Sequence, residues 1–363
     1  MGLVSLTLRH FRLFDDVTVA PDQGAVTVFL SPNGTGKTSI LEAIHYLGTG
    51  RSFRTSSAGD VIANGHQLAE IHGIFDHEGR RITVDFTISR GERSVTKRML
   101  INGQRPLNQA AAADVVPLSI FTPDGVDMIR RGPETRRDFV SDHVVAIHPD
   151  VGDVADRYER VVRQRNVILR SGRENGPTSS LRRDLEPWNI QFIELALAYS
   201  EHRRRFITDL IELAQEAYRG LTDSRDVLTL GYEQSWSGDL SAALRDVDRE
   251  EWARGTSVLG PHRDDFFVEI NGRDARRQAS QGEQRSAALA LRLAAHHLHE
   301  QVRRQRPLLL LDDVFSELDP LRCNRLLTLL PVGQTLLTTA SPLPSGMQPA
   351  SILDISGGGY VAP

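Results

Sequence analysis

The sequence predicts an α/β fold whose sheet-forming segments are split by an inserted helical segment. A glycine-containing loop at 31–36 follows an apolar run and precedes a helical pattern. A second apolar run, at 308–311, ends in two aspartates. Charged helical patterns with few internal glycines dominate residues 131–254. We therefore expect an α/β head made of residues 1–130 and 255–363, with an α-helical arm between its two parts.

The first elements are predicted to be strands. Residues 3–9 alternate apolar and polar side chains, and 26–30 is a β-branched and apolar run typical of a buried strand. Apolar residues recur at helical spacing over 38–47, so a helix should follow the glycine-containing loop. An antiparallel meander is predicted for 68–76, 82–89 and 98–101, because glycine-containing turns separate these segments.

The remaining elements follow the same reasoning. Helical spacing is found at 151–170, 181–219, 239–253 and 283–304, with a break between two long helices at 172–180. Strand character is found at 227–232, 265–270, 308–311 and 335–339. The pairs Asn102-Gly103 and Asn271-Gly272 are typical of tight hairpin turns.

Composition excludes several classes of protein. Hydrophobic residues make up 40% and charged residues 25% of the chain, as in ordinary globular proteins. No apolar run approaches the roughly 18 residues of a membrane span, and no secretory signal is evident. The single cysteine, Cys323, excludes an internal disulfide and is consistent with the cytoplasm. A net charge of −4 excludes a wholly basic nucleic-acid binder, so any DNA contact needs locally gathered cations.

The loop nearly matches the phosphate-binding pattern G-x-x-x-x-G-K-[ST], with serine at the first position. Glycines let backbone amides approach phosphates, the lysine supplies a positive charge, and the last hydroxyl is a ligand for Mg²⁺. A simple helix cap is the alternative, but Lys37 is one of only two lysines among 43 basic residues. The predicted ATP-binding residues are Ser31, Pro32, Asn33, Gly34, Thr35, Gly36, Lys37 and Thr38.

The acid pair after the second apolar run completes a nucleotide site. Asp312 should hold Mg²⁺ together with Thr38, because it ends a buried strand. Asp313 is predicted to orient or deprotonate the attacking water. An aspartate is shorter than the glutamate common in related ATPases, so we expect slow hydrolysis. The alternative is that the two aspartates merely form a polar turn. The phosphate loop in the same chain makes a nucleotide site the better interpretation.

A third segment, Ser280-Gln281-Gly282-Glu283, begins a predicted helix and has the form of a capping box. The order of phosphate loop, S-x-G segment, acid pair and a downstream S-x-L-D resembles the ABC/SMC-type P-loop ATPase superfamily. This resemblance implies that Ser280, Gln281 and Gly282 contact the γ-phosphate of ATP held by a second subunit. It also implies that Asp319 lies in a loop crossing the dimer interface, and Thr338 or Thr339 stands where other members carry a histidine.

Within that superfamily the chain resembles the RecF family of DNA replication and repair proteins. The resemblance rests on an ordered set of motifs: the Leu6 to Arg12 strand, Gly50 to Arg54, Phe121 to Asp124, Tyr158 to Asn166, and Gly260 to Asp265. Lys37 and Ser280 are 243 residues apart, which is too far for a transporter subunit, and no heptad coiled coil of SMC length is present.

The RecF resemblance implies a function in recombinational repair, DNA replication and the SOS response. It implies an ATP-dependent homodimer that binds double-stranded DNA near single-strand gaps and helps RecO and RecR load RecA, with weak, DNA-stimulated ATP hydrolysis. A non-hydrolysing ATP-binding scaffold on DNA is the alternative that multiple-turnover phosphate release would distinguish.

DNA contact is predicted for the basic segment 157–173. Arg157, Arg160 and Arg163 recur at three-residue steps, so they share one side of a helix. A solvated helix face is the equally weighted alternative. Further candidates are Arg51, Arg54 and the arginines at 203–205. The histidines at 296, 297 and 299 are expected to be solvated rather than to bind metal.

Overall fold

A computed structural model describes residues 1–92, 94–106, 114–355 and 359–361, with only the backbone described for the last three. The chain divides into two compact units. The first comprises Met1–Gly125, Glu216–Ser224 and Leu289–Pro363, and the second comprises Val126–Gln215 and Arg225–Ala288. Each unit therefore draws on segments that are far apart in the chain.

The strands, in chain order, are β1 Gly2–Phe11, β2 Phe14–Val19, β3 Val26–Leu30, β4 Leu68–His77, β5 Arg80–Arg90, β6 Val95–Ile101, β7 Leu118–Phe121, β8 Leu228–Glu233, β9 Asp265–Ile270, β10 Arg273–Asp274, β11 Leu308–Asp312, β12 Thr335–Thr339, β13 Ser351–Leu353 and β14 Gly359–Val361. The predicted strands are all present, whereas β2, β7, β10, β13 and β14 were not predicted.

The predicted helices are present, one of them divided, and four further helices in the described part of the chain, at 127–130, 133–147, 275–278 and 320–329, were not predicted. They are α1 Lys37–Thr49, α2 Asp127–Arg130, α3 Pro133–Ile147, α4 Asp150–Asn175, α5 Ser179–Thr222, α6 Leu240–Asp246, α7 Asp248–Arg254, α8 Ala275–Gln278, α9 Gln281–Arg303 and α10 Pro320–Leu329. The single helix predicted at 239–253 is two short helices, α6 and α7. Short 3₁₀ segments occupy Ala58–Val61, Pro123–Val126 and Val314–Glu317.

The first unit contains two sheets. A five-stranded sheet has the order β13-β3-β12-β11-β7, and all of its pairings are parallel. A six-stranded sheet has the order β14-β2-β1-β4-β5-β6. Its β4-β5-β6 meander is antiparallel, which confirms the prediction. The parallel sheet is assembled from both ends of the chain, because β3 and β7 come from the first part and the other strands from the last.

Helix α1 is the centre of the core in the first unit. Nearly every residue from Lys37 to Gly48 is buried, as expected of a helix that is covered on all sides. Leu47 lies so close to Gly73 of β4 that a Cβ there would be 2.4 Å from its side chain. On another side, a Cβ at Gly48 would be 2.5 Å from the side chain of Leu118 in β7. Helix α1 therefore contacts both sheets.

The second unit combines helices with a three-stranded sheet of order β10-β9-β8. Residues 255–288, predicted to be part of the head, belong to this unit. The physical reason is that β9 pairs along its length with β8, and that Arg136 of α3 makes a two-bonded ion pair with Asp265 at 2.7 and 2.8 Å. The functional boundaries at 130 and 254 stay a prediction.

A buried arginine ties the helices of the second unit together. Arg165 of α4 is 1% exposed and donates to Glu251 of α7, Ser257 and Asn189 of α5. Its guanidinium also lies 4.4 Å from the ring centre of Phe192. A buried charge needs such complete pairing, because an unpaired one would be strongly destabilising.

The structure tests two further expectations, one about the histidines of α9 and one about the Asn-Gly turns. His296 and His299 of α9 are 1% and 4% exposed, so the prediction of a solvated surface was wrong for both. The reason is that this side of α9 faces β7, where Nδ1 of His296 lies 3.0 Å from Oγ of Ser119. Both Asn-Gly pairs have positive φ at each residue, which confirms the predicted hairpin turns.

No helix in the described part of the chain is both long enough and apolar enough to cross a membrane.

Candidate nucleotide site

The parallel sheet brings the two predicted parts of the nucleotide site together. Strands β3 and β11 both flank β12, so their carboxyl ends meet at one edge of the sheet. The Thr38 hydroxyl, at the start of α1, donates to Oδ1 of Asp312 at 2.9 Å. The Thr338 hydroxyl donates to the same oxygen at 2.6 Å. One carboxylate is thus held by two hydroxyls, one from the start of α1 and one from the end of β12.

Glycine is required at two positions of the loop. Gly34 and Gly36 have φ values of 82° and 98°, in the left-handed region that other residues rarely adopt. At Gly36 a Cβ atom would lie 2.6 Å from the ring of Phe14 in β2. The loop therefore needs its glycines for backbone conformation and, at Gly36, for space. The backbone amides that follow begin α1, whose amino end favours anions.

Serine at the first loop position is unstrained. Ser31 is not among the residues with positive φ, so the glycine of the usual pattern is not needed for conformation here. Its hydroxyl donates to Oδ1 of Asp354 at 2.7 Å and accepts the backbone N–H of Ile355 at 3.2 Å. The side chain is only 5% exposed. The departure from the pattern is therefore accommodated by hydrogen bonds to the segment after β13.

Lys37 places a cation inside the loop. It is 8% exposed, and its ammonium donates to the carbonyls of Ser31 and, at 2.7 Å, Pro32. Burial lowers the pKa of Lys37, while the nearby carboxylates of Asp313 and Asp312 act in the opposite direction. A triphosphate would replace carbonyl dipoles by full negative charges, so this ammonium fits a phosphate ligand.

The two aspartates occupy different environments. Asp312 is 6% exposed, and burial raises its pKa, although the Thr338 and Thr38 hydroxyls partly offset this effect. Asp313 adopts a left-handed conformation at φ 47°, which is uncommon for a residue other than glycine. Its backbone N–H donates to the carbonyl of Thr338 at 3.0 Å. Its Oδ1 is buried without a hydrogen-bond partner among the described residues.

These residues fit a magnesium nucleotide. Among the described residues no group of three or more His, Cys, Asp or Glu side chains could hold a metal ion. A magnesium ion in a nucleotide site does not need one, because hydroxyl, carboxylate, water and phosphate oxygens complete its shell. Thr38 and Asp312 would supply the first two. The buried Oδ1 of Asp313 is an acceptor suited to an ordered water.

The Ser280 segment lies in the second unit and forms the predicted capping box. The backbone N–H of Ser280 donates to Glu283 at 2.6 Å, and that of Glu283 donates to the Ser280 hydroxyl at 3.3 Å. Hydrogen bonds from Ser280 lower the pKa of Glu283. Ser280 and Gln281 are exposed and Gly282 is half-buried. The segment is therefore an exposed and well-ordered helix start that a second molecule could approach.

The side chain of Gln284 connects this helix start to α8 and α2 by hydrogen bonds. Its amide donates to the carbonyls of Ala275 and Arg276 at 2.9 and 3.1 Å, and its oxygen accepts from Arg130 at 2.9 Å. Asp319, the predicted interface acid, is exposed and caps α10 by accepting from the backbone N–H of Arg322 at 2.9 Å. That hydrogen bond lowers the pKa of Asp319.

The predicted DNA-contacting arginines separate into two groups. Arg157, Arg160 and Arg163 are exposed on α4, and Arg163 lies 3.3 Å from Glu159. Two other arginines of the basic segments are internal, so the prediction was wrong for them. Arg165 is paired with Glu251, and Arg203 is 2% exposed with its guanidinium 5.3 Å from the ring centre of Tyr199.

Sequence reasoning missed one cation of the first unit. Exposed Lys97 of β6 donates to the carbonyl of Gly50 at 3.0 Å, next to exposed Arg51. Arg54 is exposed, lies 3.4 Å from the buried Glu42, and contributes to the electrostatic environment of Asp312. We call Arg51, Arg54 and Lys97 the loop cations, because they lie in or next to the segment that follows α1; this segment is distinct from the phosphate loop. The rarity of lysine in the chain was a signal that could have pointed to Lys97.

Comparison with known proteins gives a consistent result over most of the chain. The RecF/RecN/SMC N terminal domain model matches residues 2–337. The chain is 34% identical over 354 residues to the DNA replication and repair protein RecF of Acidothermus cellulolyticus, with 94% of each chain covered. It is 32% identical over 337 residues to the RecF of Heliobacterium modesticaldum, covering 90% of this chain and 89% of that one.

Solved structures agree with the sequence matches. A structure of the recombination mediator protein RecF in the RecFOR pathway, designated RecF-ATPrS, superposes with a TM-score of 0.88 at 25% identity. It covers 99% of this chain and 97% of its own. The Smc head domain of Pyrococcus furiosus superposes with a TM-score of 0.53 at 15% identity, covering 94% and 90%. The second likeness concerns the fold alone.

Proposed function

The chain belongs to the RecF family of DNA replication and repair proteins, within the wider RecF/RecN/SMC family, and we propose that it is an ATP-dependent DNA-binding protein of recombinational repair. The observation that carries the proposal is the meeting of Thr38 and Asp312 at one sheet edge, 2.9 Å apart. The likeness to a structure designated RecF-ATPrS supports ATP as the nucleotide. The proposed division is a head of 1–130 and 255–363 and an arm of 131–254.

In the proposed binding step, the loop amides and Lys37 hold the phosphates of ATP. Lys37 exchanges its bonds to the loop carbonyls for bonds to phosphate oxygens. Thr38 and Asp312 would hold Mg²⁺, which when bound supplies positive charge to the β- and γ-phosphates. Two hydroxyls already orient the Asp312 carboxylate, so little rearrangement is needed.

In the proposed dimer, a second copy completes the site. Ser280, Gln281 and Gly282 of that copy contact the γ-phosphate, with Asp319 crossing the interface. Two such sites related by a twofold axis make ATP the bridge between the copies. The exposed capping box supports this proposal, because its free surface and ordered backbone suit a helix start that meets an anion.

In the proposed hydrolysis step, Asp313 orients or deprotonates the attacking water. Its Oδ1 supports this role, because this atom is buried and has no hydrogen-bond partner among the described residues. The left-handed backbone is the kind of strain that persists at functional sites. Because the carboxylate is short and the backbone constrained, we expect slow turnover, stimulated weakly by DNA.

For DNA we propose contacts to the backbone of double-stranded DNA near single-strand gaps. Cations that meet phosphates supply affinity without reading sequence. Arg157, Arg160 and Arg163 are exposed and recur on one side of α4, which supports them as contacts. The loop cations are further candidates. By family membership we propose a cytoplasmic protein that works with RecO and RecR in loading RecA.

A non-hydrolysing scaffold on DNA remains the second candidate, and the constrained, shorter Asp313 favours it.

Phosphate release over many turnovers, with and without gapped duplex DNA, distinguishes a slow ATPase from a non-hydrolysing scaffold. We expect slow release that DNA increases and that Asp313→Asn lowers about 100-fold or more, the usual scale for losing a general base. Absence of release from the wild-type protein under both conditions would favour the scaffold. Retained ATP binding by Asp313→Asn shows that the variant is folded.

A further inference from the structure

The first residue of the phosphate loop is held through both its backbone and its side chain. The Ser31 carbonyl accepts from the Lys37 ammonium. The Ser31 hydroxyl donates to Asp354 at 2.7 Å and accepts from the backbone of Ile355 at 3.2 Å. A residue without a hydroxyl, such as the glycine of the usual pattern, would make only the first of these contacts.

The partners of the hydroxyl come from the strand beside β3. Strand β13 runs parallel to β3, with Leu353 opposite Phe29. The residues after β13 therefore arrive alongside the first residues of the loop. Two residues earlier in both strands, the hydroxyls of Thr27 and Ser351 lie 3.1 Å apart. Side-chain bonds thus connect the two strands before the loop as well as at its first residue.

We propose that Ser31 and Asp354 are a positioning pair that fixes the phosphate loop from the end of β13. Through the Ser31 carbonyl, the pair sets where the Lys37 ammonium rests before it meets a phosphate. The inference rests on the proposed function, because it assigns the pair a role in ATP binding. Neither residue is a catalytic residue, since both act through Lys37 and the loop backbone.

The pair has two opposing effects on ATP affinity. Holding the loop in place reduces the entropy lost when ATP orders it, so removing the hydrogen bond should weaken binding. The Asp354 carboxylate also carries a negative charge, which disfavours a nearby triphosphate. Asp354→Asn separates these effects, because the amide keeps an acceptor oxygen for Ser31 and loses the charge.

A double-mutant cycle on Ser31→Ala and Asp354→Ala tests the pair in the full-length protein. We expect Ser31→Ala to weaken ATP binding roughly three- to tenfold, the range that one charge-assisted hydrogen bond supports. Asp354→Ala should weaken it less, because this variant also removes the negative charge. The double variant should bind no more weakly than the weaker single variant. Asp354→Asn should bind ATP at least as tightly as the wild type. Additive losses, or unchanged affinity in both single variants, would overturn the proposal.

Ser351→Ala is the matched control, since it removes a bond between the same strands outside the loop. It should lower the melting temperature without changing ATP affinity. Equal weakening of ATP binding by Ser351→Ala would reduce Ser31 and Asp354 to a general stabilising role and refute the pair.

A measurement without ATP distinguishes failure of the pair from failure of the proposed function. Hydrogen–deuterium exchange of the peptide covering 31–38 should quicken in Ser31→Ala and Asp354→Ala but not in Asp354→Asn. Unchanged exchange in both alanine variants would contradict the pair. A wild-type protein that binds no ATP would refute the proposed function, while the exchange result would still decide for or against the pair.

Discussion

The Thr38 hydroxyl lies 2.9 Å from a carboxylate oxygen of Asp312, although 274 residues separate them in the chain. The contact exists because β3 and β11 are separated only by β12 in a parallel sheet. Thr338, at the end of β12, donates to the same oxygen from between them. Two strand ends and the start of α1 therefore meet at one edge of the sheet.

The first prediction concerns Lys37→Arg, which should weaken ATP binding about tenfold or more, on the scale of one lost charged hydrogen bond. The planar guanidinium does not fit the space from which the ammonium reaches two loop carbonyls. Isothermal titration with ATP and Mg²⁺ measures the change. Lys97→Arg is the matched control and should leave ATP affinity unaltered, because Lys97 is exposed. Equal affinities for Lys37→Arg and the wild type would exclude this loop as the site.

The second prediction concerns Asp312→Asn, which should stabilise the ligand-free protein while abolishing the effect of Mg²⁺ on ATP binding. Burial raises the pKa of Asp312, so its ionised form is disfavoured in the folded state. Replacing the charge by a neutral amide should therefore raise the free energy of unfolding. Denaturant unfolding without nucleotide, followed by ATP titration with and without Mg²⁺, measures both effects. A less stable variant that still responds to Mg²⁺ would contradict the assignment.

The third prediction concerns acid stability. Burial lowers the pKa values of His45 and His299 to about 4, from 6.5. The unfolded chain therefore binds more protons between about pH 6.5 and pH 4, and stability falls as the pH falls through this range. The loss should approach about 1.4 kcal/mol per pH unit for each buried histidine, and no loss from these groups is expected above about pH 6.5.

Urea unfolding at several pH values tests the histidine effect. His299→Gln should reduce the slope of stability against pH below 6.5. His297→Gln is the matched control on the same helix, half-buried, and should keep the wild-type slope. Identical slopes for wild type and His299→Gln would show that His299 is not held neutral in the folded state.

The fourth prediction concerns DNA. Replacing Arg157, Arg160 and Arg163 by glutamine should weaken duplex binding equally for unrelated sequences. The slope of log affinity against log salt should become shallower by up to about 2.7, or 0.9 per lost phosphate contact. A matched triple variant of Arg225, Arg245 and Arg249, which are exposed in the second unit outside the basic segment 157–173, removes the same charge and should change neither quantity. Similar behaviour of the two variants would assign the effect to net charge alone.

Much of the fold follows from local patterns. The strands at 26–30, 308–311 and 335–339 were predictable because buried parallel strands are short apolar runs. Strands β13 and β14 were not predictable, because each has three residues and depends on its partner. The turn at 31–36 and the helix after it were predictable because glycines at this spacing favour a tight loop and the apolar residues that follow recur at helical spacing.

Long-range pairing explains the errors. Arg165 and Arg203 look like surface cations in a basic segment, yet both are buried. The pairing of Arg165 with Glu251 could not be predicted from local patterns, because the two residues are 86 positions apart in the chain. His296 was misjudged for the same reason, since its partner Ser119 is 177 residues away. The hydrogen bond of the Ser31 hydroxyl likewise depends on a distant residue, since its partner Asp354 is 323 residues away.

Sedimentation velocity with ATP and Mg²⁺, with ADP, and without nucleotide measures whether ATP bridges two copies. With Asp313→Asn to prevent turnover, ATP should double the sedimenting mass, whereas ADP and no nucleotide should leave a monomer. Ser280→Arg should remain a monomer with ATP while still binding it, because the first copy's loop is intact. A mass that is the same in all three nucleotide states would contradict a nucleotide shared between Lys37 of one copy and Ser280 of another.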